Sequence, residues 1–243
     1  MAKTISNRRV WLDGYNISAD VSAFSYEYGS EPQDVTTYDE TTRINLGGLR
    51  TAAFALEGFS RAGSSNIDEV AWGKVGSSNS IVTVASTAGA GVGGRAYFGR
   101  QVVTSFTPVQ GSVGDAATIS LQGLADDELV HGWILHNSSG ITATGNGTFV
   151  TLPAVAATET LYGALHVTEN VGSTNTIDVV VGSDSSTAAA SVVTRLTFAQ
   201  QTANGSNWQS LAGAQADVVY RVTHTVAGAT ADFNYALVIG IKG

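Results

Sequence analysis

Ala23-Phe24-Ser25-Tyr26-Glu27-Tyr28, residues 23–28, puts three aromatic side chains on one face of an extended chain and a serine and a glutamate on the other. Strict alternation of this kind marks a strand packed on one side and wet on the other. The same period of two recurs at Ala53 to Phe59, Ile81 to Ala85, Ala96 to Phe106 and Thr118 to Leu121. Turn clusters such as Asp13-Gly14, Gly29-Ser30 and Gly47-Gly48 separate the strands. Beyond Asn137, further strands are expected at Thr148 to Leu152, Leu161 to Thr168, Thr176 to Val181, Val192 to Phe198, Val218 to Val226 and Phe233 to Ile241. One segment breaks the rhythm. In SSNIDEVAWGKVG, residues 64–76, Ile67, Val70 and Ala71 form a helical stripe, Asp68 and Glu69 suit a first turn, and Ser65 or Asn66 can cap. The fold class is therefore all-β with one short helix near 66–75.

Composition narrows what such a chain can do. Charged residues make up 13% of the 243, about half the roughly 25% usual in globular proteins, and glycine reaches 28, which disfavours a helical bundle and a disordered chain alike. With 12 basic against 20 acidic residues the net charge is −8, so phosphate would be repelled rather than gripped. The absence of cysteine excludes disulfides, thiolate metal sites and thiol catalysis. The start, MAKTISNRRVWLDG, carries early positive charge without an apolar run behind it, so it is not read as a signal peptide, and no apolar stretch approaches the ~18 residues of a membrane helix. Synthesis in the cytoplasm is expected. The sequons at Asn16, Asn137, Asn146 and Asn204 are then products of composition.

Motifs of catalysis are sparse. Gly89-Ala90-Gly91-Val92-Gly93-Gly94 spells GxGxxG but leads into a β-branched, aromatic strand, not into a helix whose N-terminus could hold a pyrophosphate. His131, His136, His166 and His224 show no metal-binding spacing, and Asp126-Asp127-Glu128 lacks the alternating oxygen ligands of a calcium loop. No GxSxG elbow occurs. No enzyme, cofactor or metal is expected. Trp133 and Trp208 could stack on sugars, which keeps a carbohydrate-binding module among the alternatives.

Organisation is read as a β-sandwich domain over 1–135, a Gly- and Asn-rich boundary at 136–147, and a second β-sandwich over 148–243. Of the acids, 14 fall in the first 135 residues against 9 bases, while the remainder holds 6 and 3. The segment Gly29 to Arg50 reads as a long loop. It holds Pro32 and the mixed charges Asp34, Asp39, Glu40, Arg43 and Arg50, and a loop of that length suits reaching to a neighbour.

Residues 10–59 also carry an order of motifs: Leu12-Asp13-Gly14-Tyr15-Asn16-Ile17-Ser18, a strand at Ser22 to Tyr28, the acidic and Thr-rich Asp34 to Arg43, Gly48-Leu49, and Leu56-Glu57-Gly58-Phe59, with the helix following. In this order the chain resembles the major tail tube proteins of long-tailed bacteriophages over about its first 130 residues. The resemblance implies a structural virion protein whose copies assemble into rings, six subunits preferred over three, with inner sheets joined into a barrel and rings stacked into a conduit for genomic DNA. It implies self-association, contacts with other tail proteins at the tube ends, DNA that passes without specific binding, and location in the virion tail. Within that picture Ser25 and Glu27 are the candidates to face the lumen, and the loop Gly29 to Arg50 is the candidate bridge between subunits. The second domain is either an outward accessory domain or a degenerate second tube domain. A capsid decoration or minor head protein is the competing virion reading.

Overall fold

The computed structural model describes residues 8–61, 63, 65–86, 90–172, 174–188 and 190–243. Strands in the first half are β1 (Val10–Leu12), β2 (Tyr15–Asn16), β3 (Val21–Asp34), β4 (Asn45–Phe59), β5 (Ser80–Ala85), β6 (Arg95–Gln110) and β7 (Thr118–Ala125), with the single helix α1 (Ile67–Trp72) before β5. The second half adds β8 (Val130–Ile141), β9 (Gly145–Asn146), β10 (Val150–Thr151), β11 (Thr160–Val171), β12 (Thr176–Asp184), β13 (Val193–Thr197), β14 (Gly205–Ala212), β15 (Val219–Ala227) and β16 (Asp232–Lys242). The all-β class with one short helix stands.

The chain divides into two compact units. Unit 1 is Met1–Ala19, Ser80–Arg100 and Val130–Gly243; unit 2 is Asp20–Asn79 and Gln101–Leu129. This is not the division expected from sequence. Residues 136–141, read as boundary, are the end of β8, which pairs with β16 as far as Ile141↔Phe233. The N-terminal strands, assigned to the first domain, belong with the C-terminal half. The reason is one buried polar knot: Asp13 Oδ1 accepts the Ile81 N–H at 2.8 Å and the Ser206 hydroxyl at 3.1 Å, while the His166 ring bonds the Asp13 carbonyl and the Thr83 hydroxyl, the latter at 2.8 Å. These partners lie up to 193 positions apart, beyond the reach of any local pattern.

Unit 1 is a sandwich. One sheet runs β14-β11-β16-β8-β6-β5-β1-β2, with β6 contributing its first residues, and the other is β10-β15-β12-β13 with β9 beside β15. Strand β16 serves two cores at once. Phe233, Tyr235, Leu237 and Ile239 meet Ile177, Val179, Val181, Tyr220 and Val222 of the facing sheet, whereas Ala236 and Val238 turn to Trp11, Ile81, Phe98 and Ile134. Burial on both faces explains why Tyr-Ala-Leu-Val-Ile reads as a continuous apolar run. Each such side chain removed from water contributes roughly 1.5–3 kcal/mol. The β8–β16 contact is so close at Gly132 that a Cβ there would lie 2.1 Å from the Ile239 carbonyl oxygen, so only glycine fits.

Unit 2 is one antiparallel sheet, β3-β4-β7-β6, in which β6 takes part from Gln101 onward. Ala52, Phe54, Leu56 and Gly58 of β4 and Ile119, Leu121 and Gly123 of β7 are buried, and their neighbours in sequence are not. On the buried face Phe24, Tyr26 and Phe54 cluster, with ring centroids 5.1–6.4 Å apart, and burial pushes the Tyr26 phenol pKa upward. Helix α1 buries Ile67, Val70 and Ala71. Its cap differs from expectation: the Asn66 side chain makes no capping bond, and the Ile67 N–H goes instead to the buried carboxylate of Asp20 at 3.2 Å, which Arg61 also approaches at 3.5 Å.

The expected long loop is mostly not a loop. Strands β3 and β4 continue past the body of the sheet and pair as far as Asp34↔Asn45, leaving only 35–44 as a tip. Because this ribbon is exposed on both sides, its sequence shows no apolar alternation, which is why it reads as unstructured. Register shifts between Ser30 and Pro32, where Pro32 needs no ladder donor, and a Cβ on Gly48 would stand 2.1 Å from the Glu31 carbonyl oxygen.

Candidate assembly surface

Antiparallel partners share a face, so the register places the candidate residues. Ser25 lies opposite Ala55 and Glu27 opposite Ala53, and the rows continue to Gln122 and Leu124 of β7. Ser120, opposite Glu57, and Thr107 complete the surface. Ser25 and Glu27 are exposed, on the opposite face from Phe24 and Tyr26, as the alternation requires. Tyr28, expected to pack with them, is 48% exposed because it stands where the sheet narrows to the ribbon. The wet face carries the carboxylates of Glu27 and Glu57, and no Lys or Arg lies among these positions. Its other residues are small or uncharged.

Both margins of this sheet are bare. Among the described residues β3 pairs only with β4, and β6 from Ser105 to Gln110 pairs only with β7. Four antiparallel strands make the two margins run in opposite directions.

The ribbon brings some of the predicted bridge residues together and separates others. Asp34 accepts the Thr36 N–H and hydroxyl at 3.0 and 2.6 Å and faces Arg43 at 3.6 Å, and the Thr36 hydroxyl in turn accepts the Ile44 N–H at 2.9 Å. Those hydrogen bonds hold the Asp34 carboxyl below its usual pKa. Asp39 and Glu40 occupy the exposed tip, where the Glu40 N–H bonds the Thr37 carbonyl at 3.1 Å. Arg50, opposite Ser30, stands instead at the ribbon's base, lining an open pocket of 450 Å³ with Tyr28, Leu124 and the acids Asp126, Asp127 and Glu128. Sequence reasoning weighed the charges of this segment and missed its apolar side chains. Val35, Tyr38, Ile44, Leu46 and Leu49 are all exposed, Tyr38 at 112% and Leu49 at 86%. Five large apolar residues in a polar, Thr-rich stretch were the available signal. At the opposite end of the sheet Phe59, Val109 and Val113 are exposed as well, Val113 at 109%.

The remaining candidates resolve as packing. Arg95 lies 4.0 Å over the Trp133 ring, which also packs against the sandwich core, and Trp208 sits between Phe98 and Tyr162 at 5.5 and 5.6 Å, so the flat ring faces that sugar stacking needs are occupied. His131 stacks on Tyr97 at 4.7 Å, its pKa lowered by burial and by Arg95. His166 is fully buried, and burial lowers it to about 4. No cluster of three metal-ligating side chains occurs among the described residues. The glycine-rich run at 89–94 begins outside the described residues and leads directly into β6. No described helix is long and apolar enough to cross a membrane.

No protein-family profile and no curated protein matches the chain. Among solved structures it is similar to a chain of the virion of a native gene transfer agent particle, at 21% identity and a TM-score of 0.42, over 54% of this chain and 98% of that one. It is also similar to a chain from the tail of an empty gene transfer agent particle with C6 symmetry, at 20% identity and a TM-score of 0.37, over 45% of this chain and 80% of that one.

Proposed function

We propose that this chain is a structural virion protein that polymerises into stacked rings and forms the tube of a phage tail, a passage for genomic DNA. One observation carries the reading: unit 2 is a sheet with two unpaired margins of opposite direction. An isolated domain rarely leaves such margins open, because unpaired strand edges invite association. When copies stand side by side in the same orientation, β3 of one meets β6 of the next as an antiparallel pair, and a ring closes without leaving an edge. One such sheet per chain favours six copies per ring over three.

Two further features support it. A bore lined by the Ser25 and Glu27 face would present carboxylates and small polar groups, with no cation to hold a phosphate, and the whole chain is acidic by eight charges. The exposed apolar groups lie at opposite ends of the same sheet, Tyr38 and Leu49 on the ribbon and Val113 at the other end, an arrangement for head-to-tail stacking that does not close on itself. Unit 1, whose double core needs no partner, is read as the accessory part. Electron microscopy of concentrated purified protein, with mass measurement of isolated rings, tests the proposal. Rings or tubes of six copies are expected, and a strictly monomeric species would overturn it.

A further inference from the structure

Three aromatic groups of unit 1, one of them the core residue Tyr235, meet in a buried cluster that the assembly surface does not employ. His136 of β8 stacks on Tyr235 of β16 with centroids 4.2 Å apart, and His224 of β15 bonds the Tyr235 hydroxyl through Nδ1 at 2.8 Å. The two imidazole centroids are 5.8 Å apart, and all three residues are buried. A short piece of chain closes over them. In residues 142–147, Ala143 is hydrogen-bonded by the His224 ring, the missing side chain of Gly145 leaves room for that ring, and the missing side chain of Gly147 leaves room for Val222 Cγ1, 2.5 Å from where a Cβ would stand, and beyond it for His136. A Cβ on Gly145 would lie 3.2 Å from His224 Nε2, and one on Gly147 would lie 3.3 Å from His136 Nδ1.

We propose that residues 142–147 form an acid-released strap, closed while His136 and His224 are neutral and freed from β15 when both are protonated. The strap is attached to β15 lightly. Gly145 and Asn146 pair with His224 and Thr223, Gly147 donates to the Val222 carbonyl at 2.9 Å, the Thr144 hydroxyl accepts the Val226 N–H at 3.0 Å, and the Asn146 side chain accepts the Thr223 hydroxyl at 2.7 Å. Beneath it the cluster has no outlet for a second charge. Once protonated, His224 still donates to Ala143, and the Tyr235 hydroxyl can turn to accept. His136 Nε2 is buried without a hydrogen-bond partner, and a proton there creates a cation beside another cation.

The groups that face the cluster agree. From β16 comes Tyr235, whose phenol burial keeps protonated; from β12 comes apolar Val179 opposite His224; the strap offers glycine, alanine, threonine and asparagine. Among the described residues, the causes that shift the two imidazoles are burial, their mutual charge and the Ala143 hydrogen bond, and no carboxylate is one of them. Burial, then the charge of His224, lowers His136 to about 4, and burial lowers His224 as well. An opened strap returns the rings to water and to a pKa near 6.5. The open form therefore gains protons first, and opening is favoured progressively as pH falls from about 6.5 towards 4, by roughly two orders of magnitude.

Hydrogen–deuterium exchange on the whole chain at pH 7 and pH 4.5, corrected for intrinsic rates, reads this directly. The Gly147 and Val226 amides are expected to lose at least tenfold of their protection in acid, while Leu165 and Leu237 in the β11–β16 ladder keep theirs. His136→Phe, which retains the stack on Tyr235 but cannot ionise, should hold the strap closed at both pH values. His136→Gln serves the same purpose should the phenylalanine variant fail to fold. The proposal is overturned when strap protection is unchanged in acid, when strap and ladder open together, or when the uncharged variants loosen as the parent does.

Discussion

Strands β16 and β3 are both long, yet seven of the eleven residues of β16 are buried and none of the fourteen of β3 is. The difference is one of partners. In unit 1 every face of the central strands finds apolar cover within the chain, and two cores share one sheet. Unit 2 keeps one face packed and leaves two edges, one face and an apolar-tipped ribbon to solvent. On the proposed reading, a single chain joins a part that is finished on folding to a part left to acquire its remaining contacts from copies of itself. Stability should reside in the first and assembly in the second.

The sharpest test of that contrast is a pair of truncations. Leu237→Ala, at 0% exposure between the two sheets of unit 1, should destabilise the chain by about 2–5 kcal/mol in urea unfolding, whereas Leu49→Ala on the ribbon should stay within about 0.5 kcal/mol. Similar losses at both sites would remove the distinction.

Acid should find unit 1 first. Burial holds His166 neutral down to about 4 in the folded chain, against about 6.5 for an imidazole in water, so the unfolded state binds the proton first and stability falls as pH drops from about 6.5 to 4. The full effect is roughly 3 kcal/mol. Denaturation midpoints measured across that range should flatten in His166→Gln, whatever that variant loses at pH 7.

Deleting Pro32 to Thr42 removes the ribbon tip without touching either core. Thermal melting should show a folded chain changed by about 1 kcal/mol or less. Sedimentation and microscopy should show no polymer. Normal polymers from the deleted chain would assign the ribbon to plain solvent exposure.

Glu27→Lys should have the smallest effect on the folded chain, within about 0.5 kcal/mol and without loss of tubes. Its consequence belongs to transport: a ring of cations at each layer should slow DNA passage in low salt and recover as salt rises. Particles that eject at the parent rate in low salt would place Glu27 away from the bore or make its charge irrelevant.

How far the chain could be read in advance follows from what periodicity measures. It reports burial on one face, so β3, β4, β6 and β7 are legible where their faces differ; β5, expected to alternate, is buried along its whole length, and β16 is legible as an apolar run. Strand β14, half-buried along most of its length, and the ribbon, buried nowhere, give no such contrast, so the one carries no strand signal and the other reads as loop. For the candidate surface, Ser25 and Glu27 were placed on a common face by geometry, and Asp34 and Arg43 were named as charges. That Arg50 stands apart from them, and that Tyr38 and Leu49 are fully in solvent, was not legible, because composition does not say which apolar residues a fold leaves uncovered.

The sequence by itself determined the all-β class, the short helix, the acidic balance and the two-faced character of β3, since each depends on neighbours within a few positions. Only the tertiary structure decided that the first strands belong with the last, that β8 runs into the expected boundary as far as Ile141, that Asp20 caps α1, and that two histidines 88 positions apart share a buried site. Those arrangements are fixed by hydrogen bonds and packing between distant segments, which satisfy buried polar groups no local pattern can pair.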